Sequence, residues 1–199
     1  MNKFKTPILL ITYKRSEYLK KVLSKIKKIN PKILYIYSDG PKNKLEQYDI
    51  IKCRKIIDSI NWCHVKKKFN TKNKGIELVP KFAIDWVFKD NSKVIILEDD
   101  TLPDLSFFNF CEKLLLKYEK NPKISMISGT NLSQENSKSL KESYFFSKYS
   151  NIWGWATWRH KWKDYDRKMK KWPKFIGEKL KLYSYFKDEY LWWNKMFKL

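Results

Sequence analysis

Glu98, Asp99 and Asp100 stand together directly after the apolar run Val94–Leu97. Three adjacent carboxylates repel one another unless something cationic neutralises them. A hard divalent ion does this well, because Mg2+ and Mn2+ accept carboxylate oxygens and complete their shells with water and substrate phosphate. The alternative is a solvated acidic turn, with Asp104 or Ser106 capping the helix that follows. Other short apolar runs also end in polar residues. Thr6–Thr12 leads into Tyr13, Lys14 and Arg15, and Ile33–Tyr37 into Ser38, Asp39 and Gly40. Lys74 and Gly75 close a polar loop, and Ser128–Asn131 follow the run Ile124–Ile127. Lys14, Arg15 and Lys74 supply positive charge for phosphate.

Several other chemistries lack their residues. The chain has no GxxxxGK[ST], no GxGxxG and no GxSxG, the fingerprints of P-loop, dinucleotide-binding and α/β-hydrolase sites. Its Cys53, Cys63 and Cys111 are scattered without a CxxC, and His64 and His160 lie far apart, which argues against a zinc site or a disulfide framework. Cys53 and Cys111 fall on apolar helix stripes and read as core, and His64 as a strand-edge residue.

The elements that must position the acidic residues alternate. Thr6–Thr12 has the β-branched, continuously apolar character of a buried parallel strand. Ser16 offers an N-cap, and Leu19, Val22, Leu23, Ile26 and Ile29 follow at helical spacing as far as Asn30 and Pro31. Ile33–Tyr37 reads as a strand, 45–60 as a helix, 62–69 as an exposed strand, and the segment from Pro80 as a helix. Val94–Leu97 is a strand, the stripe Phe107, Phe108, Cys111, Leu114, Leu115 and Tyr118 a helix, and Ile124–Ile127 a strand. This βαβαβαβαβ order predicts an α/β fold with a doubly wound, mostly parallel sheet. In such a sheet ligands bind beyond the carboxyl ends of the strands, where Thr12–Arg15, Asp39–Gly40, Glu98–Asp100 and Ser128–Asn131 fall. The last third, with Ser143–Tyr149 and Ile152–Trp158, is aromatic-rich and loses the rhythm. It is expected to be irregular and grafted onto the sheet edge, within one domain over 1–199.

Composition narrows the classes further. The chain has 199 residues, 43% of them hydrophobic and 17% aromatic, enough for a sizeable core, which excludes intrinsic disorder. Mean hydropathy is −0.63 and no apolar run approaches 18 residues, so no membrane-spanning helix is expected. The start runs straight into charge without a cleavage pattern, and the expectation is a chain lacking a signal peptide. The net charge of +22 divides into +12 over residues 1–100 and +10 over 101–199, and only Arg15, Arg54, Arg159 and Arg167 of its 43 basic residues are Arg. An even Lys excess reads as a solvated surface, and no nucleic-acid partner is expected. Arg159–Lys174 interleaves eight Lys or Arg with two Trp. Either it meets an anionic lipid headgroup layer, or it is a Lys-rich surface helix whose Trp residues face the core.

Pro7–Arg15, the Ser38–Gly40 turn and Leu97–Asp100 together resemble the nucleotide-sugar glycosyltransferases of the Rossmann-like GT-A fold, in particular the family-2-like and N-acetylglucosaminyltransferase-I-like groups. Trp153, Gly154, Trp155 and Trp158 resemble the W-G-W-x-x-W element of bacterial members. The resemblance implies a donor-binding half over 1–131 and an acceptor-side half over 132–199. It implies that Thr12, Tyr13, Lys14 and Arg15 line the nucleotide, that Asp39 beside Gly40 bonds the base, and that Lys74 and Gly75 approach the nucleotide. Glu98 and Asp99 would contact ribose and sugar, and Asp100 would ligate the Mn2+ or Mg2+ that bridges the diphosphate. Trp153, Gly154, Trp155 and Trp158 would meet the acceptor, the alternative being that the Trp residues pack as core or lid. Asp188 and Glu189 match a late D-Y-x-W element that carries the catalytic base, with Glu189 where relatives hold Asp; the alternative for the pair is a solvated helix start. Relatives continue beyond the equivalent of Leu199, so a shortened acceptor side is expected. The implied reaction is metal-dependent, inverting sugar transfer from a nucleotide donor, UDP-linked first among them, to a glycan or lipid-linked hydroxyl in surface polysaccharide synthesis. It would proceed in the cytoplasm, with contact at the inner face of the cell membrane. Three other readings stay open: a basic membrane- or nucleic-acid-binding module in which Glu98–Asp100 is only a turn, a degenerate transferase that binds without turnover, and a sugar nucleotidyltransferase, which lacks here the Gly-rich, Arg-bearing loop expected after its first strand.

Overall fold

The computed structural model describes residues 3–132, 142–175, 180, 184 and 186–196. They divide into two compact units, Met1–Lys163 and Asp164–Leu199.

In the first unit the strands are β1 (Ile8–Thr12), β2 (Ile33–Ser38), β3 (His64–Phe69), β4 (Lys93–Glu98), β5 (Met126–Ser128) and β6 (Trp155–Trp158). They form one sheet in the order β3-β2-β1-β4-β6-β5. β1, β2, β3 and β4 pair in parallel, while β6 runs antiparallel to both β4 and β5. The helices are α1 (Ser16–Lys28), α2 (Lys44–Asp58), α3 (Val79–Val87), α4 (Leu105–Lys117) and the short α5 (Arg159–Trp162).

Both faces of the sheet are covered, which explains why β1 is apolar throughout. Ile8 and Leu10 point into a core with Leu19, Val22 and Ile26 of α1, Cys53 and Ile57 of α2, and Phe108 and Leu115 of α4. Leu9 and Ile11 point the other way, to Val79, Ala83 and Val87 of α3. Period-two alternation sends a strand's residues to opposite faces, and the helices' apolar stripes meet them there. Asn43 and Asp104 cap α2 and α4 by accepting from the backbone N–H groups of Glu46 and Ser106.

Two local readings differ from the structure. Ser16 is the first residue of α1 rather than its cap; Arg15 occupies the cap position and no side chain closes the first turn. The segment expected to be irregular and to lie on the sheet edge contains β6, which is inserted between β4 and β5. Burial on both faces accounts for this: Ala156 and Trp158 enter the core beneath α4, and Trp155 packs on the α3 side.

In the second unit lie the helices α6 (Trp172–Phe175) and α7 (Lys187–Met196). No helix among the described residues is long and apolar enough to cross a membrane.

Candidate functional site

The order of the strands reverses between β1 and β4, since β2 and β3 continue on one side of β1 and β4 begins the other. Such a switch point opens a crevice at the carboxyl ends of the strands. Thr12–Arg15 leave β1 there, and Glu98–Asp100 leave β4. The register sets Ile11 opposite Glu98, and the ladder is prolonged as the Asp99 N–H donates to the Ile11 carbonyl at 3.0 Å.

Asp99 organises this crevice. It is 1% exposed, and a buried carboxylate must have its oxygens satisfied. Oδ2 accepts from the Tyr13 N–H at 2.9 Å and the Thr12 hydroxyl at 3.2 Å. Oδ1 accepts from Arg15 Nε at 2.9 Å and lies 2.6 Å from its Nη2. Arg15 then reaches Asp100 Oδ2 through Nη1 at 2.8 Å. The guanidinium therefore ties the two acidic residues to the loop after β1. Asp99, expected at ribose and sugar, has both oxygens engaged by this loop. Half-buried Glu98 has its pKa raised by burial and then by the charges of Asp100 and Asp99.

A second clasp holds Tyr13 and Lys14. Glu46, on the first turn of α2, accepts from the Tyr13 hydroxyl, from Lys14 Nζ at 2.7 Å and from the Lys42 N–H at 3.0 Å. These donors hold Glu46 at about 2, with the Lys14 bond the largest cause. Burial, reinforced by Glu46, pushes the Tyr13 phenol up to about 12. Asn43 and Glu46 have the spacing of a capping box, which was the available sequence signal. In that motif the glutamate bonds the cap residue's own N–H, whereas here it bonds Lys42 and the β1 loop.

Asp39, at the end of β2, is 5% exposed. Oδ1 accepts from the Gly40 N–H and Asn70 Nδ2 at 2.9 Å and from the Lys74 N–H at 3.0 Å. Oδ2 accepts from Asn73 Nδ2 at 2.9 Å and from the N–H groups of Lys74 and Gly75 at 3.1 Å. Arg54 reinforces the same junction, donating to the carbonyls of Asp39 and Asn70 at 3.1 and 2.6 Å. A Cβ on Gly40 would lie 2.5 Å from the Lys72 backbone, so only glycine lets the loop close this tightly. The sequence reading missed Glu46, Arg54, Asn70 and Asn73 because ordinary polar helix and loop residues carry no distinguishing pattern.

No three His, Cys, Asp or Glu residues among those described form a metal cage. Asp100 nevertheless fits a hard, hydrated cation: it is half-exposed at the crevice, and Oδ1 takes no hydrogen bond from the described residues. Arg15 offsets only part of the charge of Glu98, Asp99 and Asp100. Mg2+ characteristically binds through one or two carboxylates plus substrate phosphate.

Asp100 also borders an open cleft of 1270 Å³ lined by Leu102, Phe107, Phe110, Tyr149 and Trp153. Trp153 is 64% exposed. Gly154, at φ +74, turns the chain into β6, and its carbonyl accepts from the Gly129 N–H at 2.8 Å. Trp155 lies against Trp162 on the α3 side, with ring centroids 6.2 Å apart. Trp158 is completely buried and donates its indole N–H to the Leu115 carbonyl at 3.0 Å, so protein covers both of its ring faces. Trp162 likewise packs on the core and bonds Asp85 Oδ1 at 2.7 Å. In the second unit Asp188 and Glu189 open α7, and Glu189 Oε1 accepts from Trp193 Nε1 at 3.4 Å.

No family model matches the chain. No curated protein matches it either. Among solved structures it is similar to a mannosyltransferase from Pyrobaculum calidifontis in complex with GDP-Man and Mn2+, at 12% identity over 69% of this chain and 39% of that one, with a TM-score of 0.48. It is also similar to residues 1–349 of TarS from S. aureus, at 15% identity over 58% of this chain and 33% of that one, with a TM-score of 0.43. A third is 4-diphosphocytidyl-2C-methyl-D-erythritol synthase from Anaerococcus prevotii, at 12% identity over 96% and 83%, with a TM-score of 0.45. The chain thus spans well under half the length of the first two. What its own strand order and crevice define is a doubly wound, mostly parallel α/β domain with an acidic, guanidinium-bridged switch point.

Proposed function

We propose that the chain is a nucleotide-sugar-dependent glycosyltransferase domain that moves a hexosyl or N-acetylhexosaminyl group to a hydroxyl of a glycan or lipid-linked acceptor. The observation that carries this reading is the meeting of Thr12–Arg15 with Glu98–Asp100 at the β1/β4 switch point, bound together by Arg15. A diphosphate laid there meets Lys14, Arg15 and the first turn of α1. That turn has no side-chain cap, and uncapped first-turn N–H groups favour an anion. Asp100 is the residue that would hold Mn2+ or Mg2+, and a bound ion of this kind stabilises negative charge on a departing diphosphate. Asp99 and Glu46 fix the β1 loop so that the donor meets a preorganised surface.

Transfer breaks the bond from the anomeric carbon to the diphosphate oxygen and forms one to the acceptor oxygen. The acceptor's proton passes to a carboxylate base. We assign that role to Glu189, with Asp188 beside it, on the strength of the late D-Y-x-W resemblance. The cleft bordered by Asp100 and the exposed face of Trp153 are assigned to the acceptor, since aromatic rings pack on the apolar faces of sugars.

Nucleoside diphosphate release from UDP- and GDP-sugars, with a panel of glycan acceptors and Mn2+ present, tests this. The expected result is acceptor-dependent release that falls at least ~100-fold in Asp100→Ala. Equal release by the wild type and that variant would contradict it.

A further inference from the structure

We infer that Asp39 is a positioning residue, a clamp that shapes the loop 70–75, and not the group that reads the base. Its two oxygens take five protein donors: the N–H groups of Gly40, Lys74 and Gly75 and the side-chain amides of Asn70 and Asn73. An ionised carboxylate offers about four lone-pair sites. All are in use, and at 5% exposure the group has almost no surface left for a ligand. A base N–H could bond it only by displacing one of these donors, which would leave a loop amide unsatisfied.

The surroundings are built for a clamp. Asn73 Nδ2 also donates to the Gly40 carbonyl at 2.8 Å, closing the loop onto the turn after β2. The Tyr37 hydroxyl holds Asn70 Oδ1 at 3.1 Å, so Asn70 cannot swing away from the carboxylate. At the far end, the Gly75 carbonyl accepts from the N–H groups of Leu78 and Val79 at 3.2 and 3.0 Å, which starts α3. Gly75 itself sits at φ +79, a conformation that the Asp39 bond to its N–H fixes. One carboxylate thus sets the path of the chain from the end of β3 to the first turn of α3. Base selection then falls to the groups the loop presents and not to Asp39, so losing Asp39 weakens different nucleotides alike. This consequence rests on the proposed nucleotide site; the clamp itself does not.

Hydrogen exchange of the Lys74 and Gly75 amides in the nucleotide-free protein tests the clamp directly. Calorimetric titration of UDP and GDP, each with Mn2+, tests its consequence, both on the wild type, Asp39→Asn and Asn73→Ala. Exchange is expected to accelerate roughly 10-fold or more in Asp39→Asn, and in the same direction in Asn73→Ala, which leaves the carboxylate intact. UDP and GDP affinities should fall by the same factor in each variant, at temperatures well below melting. Wild-type exchange in both variants, or a loss confined to one nucleotide in Asp39→Asn with Asn73→Ala unaffected, would overturn the clamp in favour of base reading. If the wild type binds neither nucleotide, the functional reading fails and the exchange result still decides the clamp. Should Asp39→Asn not fold, Asn73→Ala supplies both readouts.

Discussion

Glu46 shows how a single residue joins stability to the site. Its carboxyl is held at about 2 by Lys14, Tyr13 and the Lys42 N–H, against about 4.3 in an unfolded chain. A carboxylate with a depressed folded pKa contributes stability that is complete above the unfolded value and is lost as pH falls towards the folded one. Melting temperature followed from pH 6 to pH 2 should therefore fall less steeply in Glu46→Gln than in the wild type. Parallel curves would show that the clasp contributes nothing. The same substitution loosens the hold on Tyr13 and Lys14, so any diphosphate affinity should weaken with it. Nothing in the sequence singled Glu46 out beyond its capping-box spacing, because its partners at positions 13 and 14 become neighbours only when β1 and α2 are packed together.

β6 is the element that sequence periodicity failed to give. Trp153, Trp155 and Trp158 look like one aromatic cluster when read along the chain. Once the segment is a strand, an offset of three sends Trp155 and Trp158 to opposite faces of the sheet. Trp153 stays outside at the edge where β6 begins. Trp158→Ala should thus cost roughly 3–5 kcal/mol or prevent folding, through the cavity it leaves and the orphaned Leu115 carbonyl. Trp153→Ala should stay within about 0.5 kcal/mol of the wild type in denaturant titration while weakening acceptor use. Equal destabilisation by the two would contradict this division. Gly40→Ala belongs to the same scale: a Cβ placed 2.5 Å from the Lys72 backbone forces the loop 70–75 off the end of β2. The expected result is lower stability and faster exchange at Lys74. The strands β1, β2 and β4 were legible because burial on both faces leaves them continuously apolar. β6 carries Thr157 and three Trp or Ala residues, a composition that fits a core strand and an irregular loop equally well.

The molecule as a whole separates into a unit that contains the entire switch-point crevice and one that contains the assigned base. Thr12–Arg15, Asp39, Glu98–Asp100 and the cleft beside Asp100 all fall within Met1–Lys163, as do both hydrophobic cores. A chain ended after Lys163 should consequently fold and bind nucleoside diphosphate within about threefold of the full chain, yet transfer no sugar. Failure to fold would show that the second unit contributes stability to the first. The charge of +22 is spread along both halves, and on the β3 edge Lys66 and Lys67 are paired with Asp90 and Asp58 at 2.7 and 2.6 Å. Lysines on an exposed edge strand also discourage pairing with another sheet. Alternating strands and helices, with polar residues at the strand ends, made the position of the crevice readable in the sequence. The Arg15 bridge and the Asp39 clamp were not, since each depends on side chains that the topology brings together from distant elements. Calorimetric titration of UDP and GDP, with and without Mn2+, into the full chain and into Asp100→Ala addresses the central claim most directly. The account predicts metal-dependent binding of at least one nucleotide that is lost in the variant. Metal-independent binding that survives in Asp100→Ala, or no binding of either nucleotide under any condition, would contradict it.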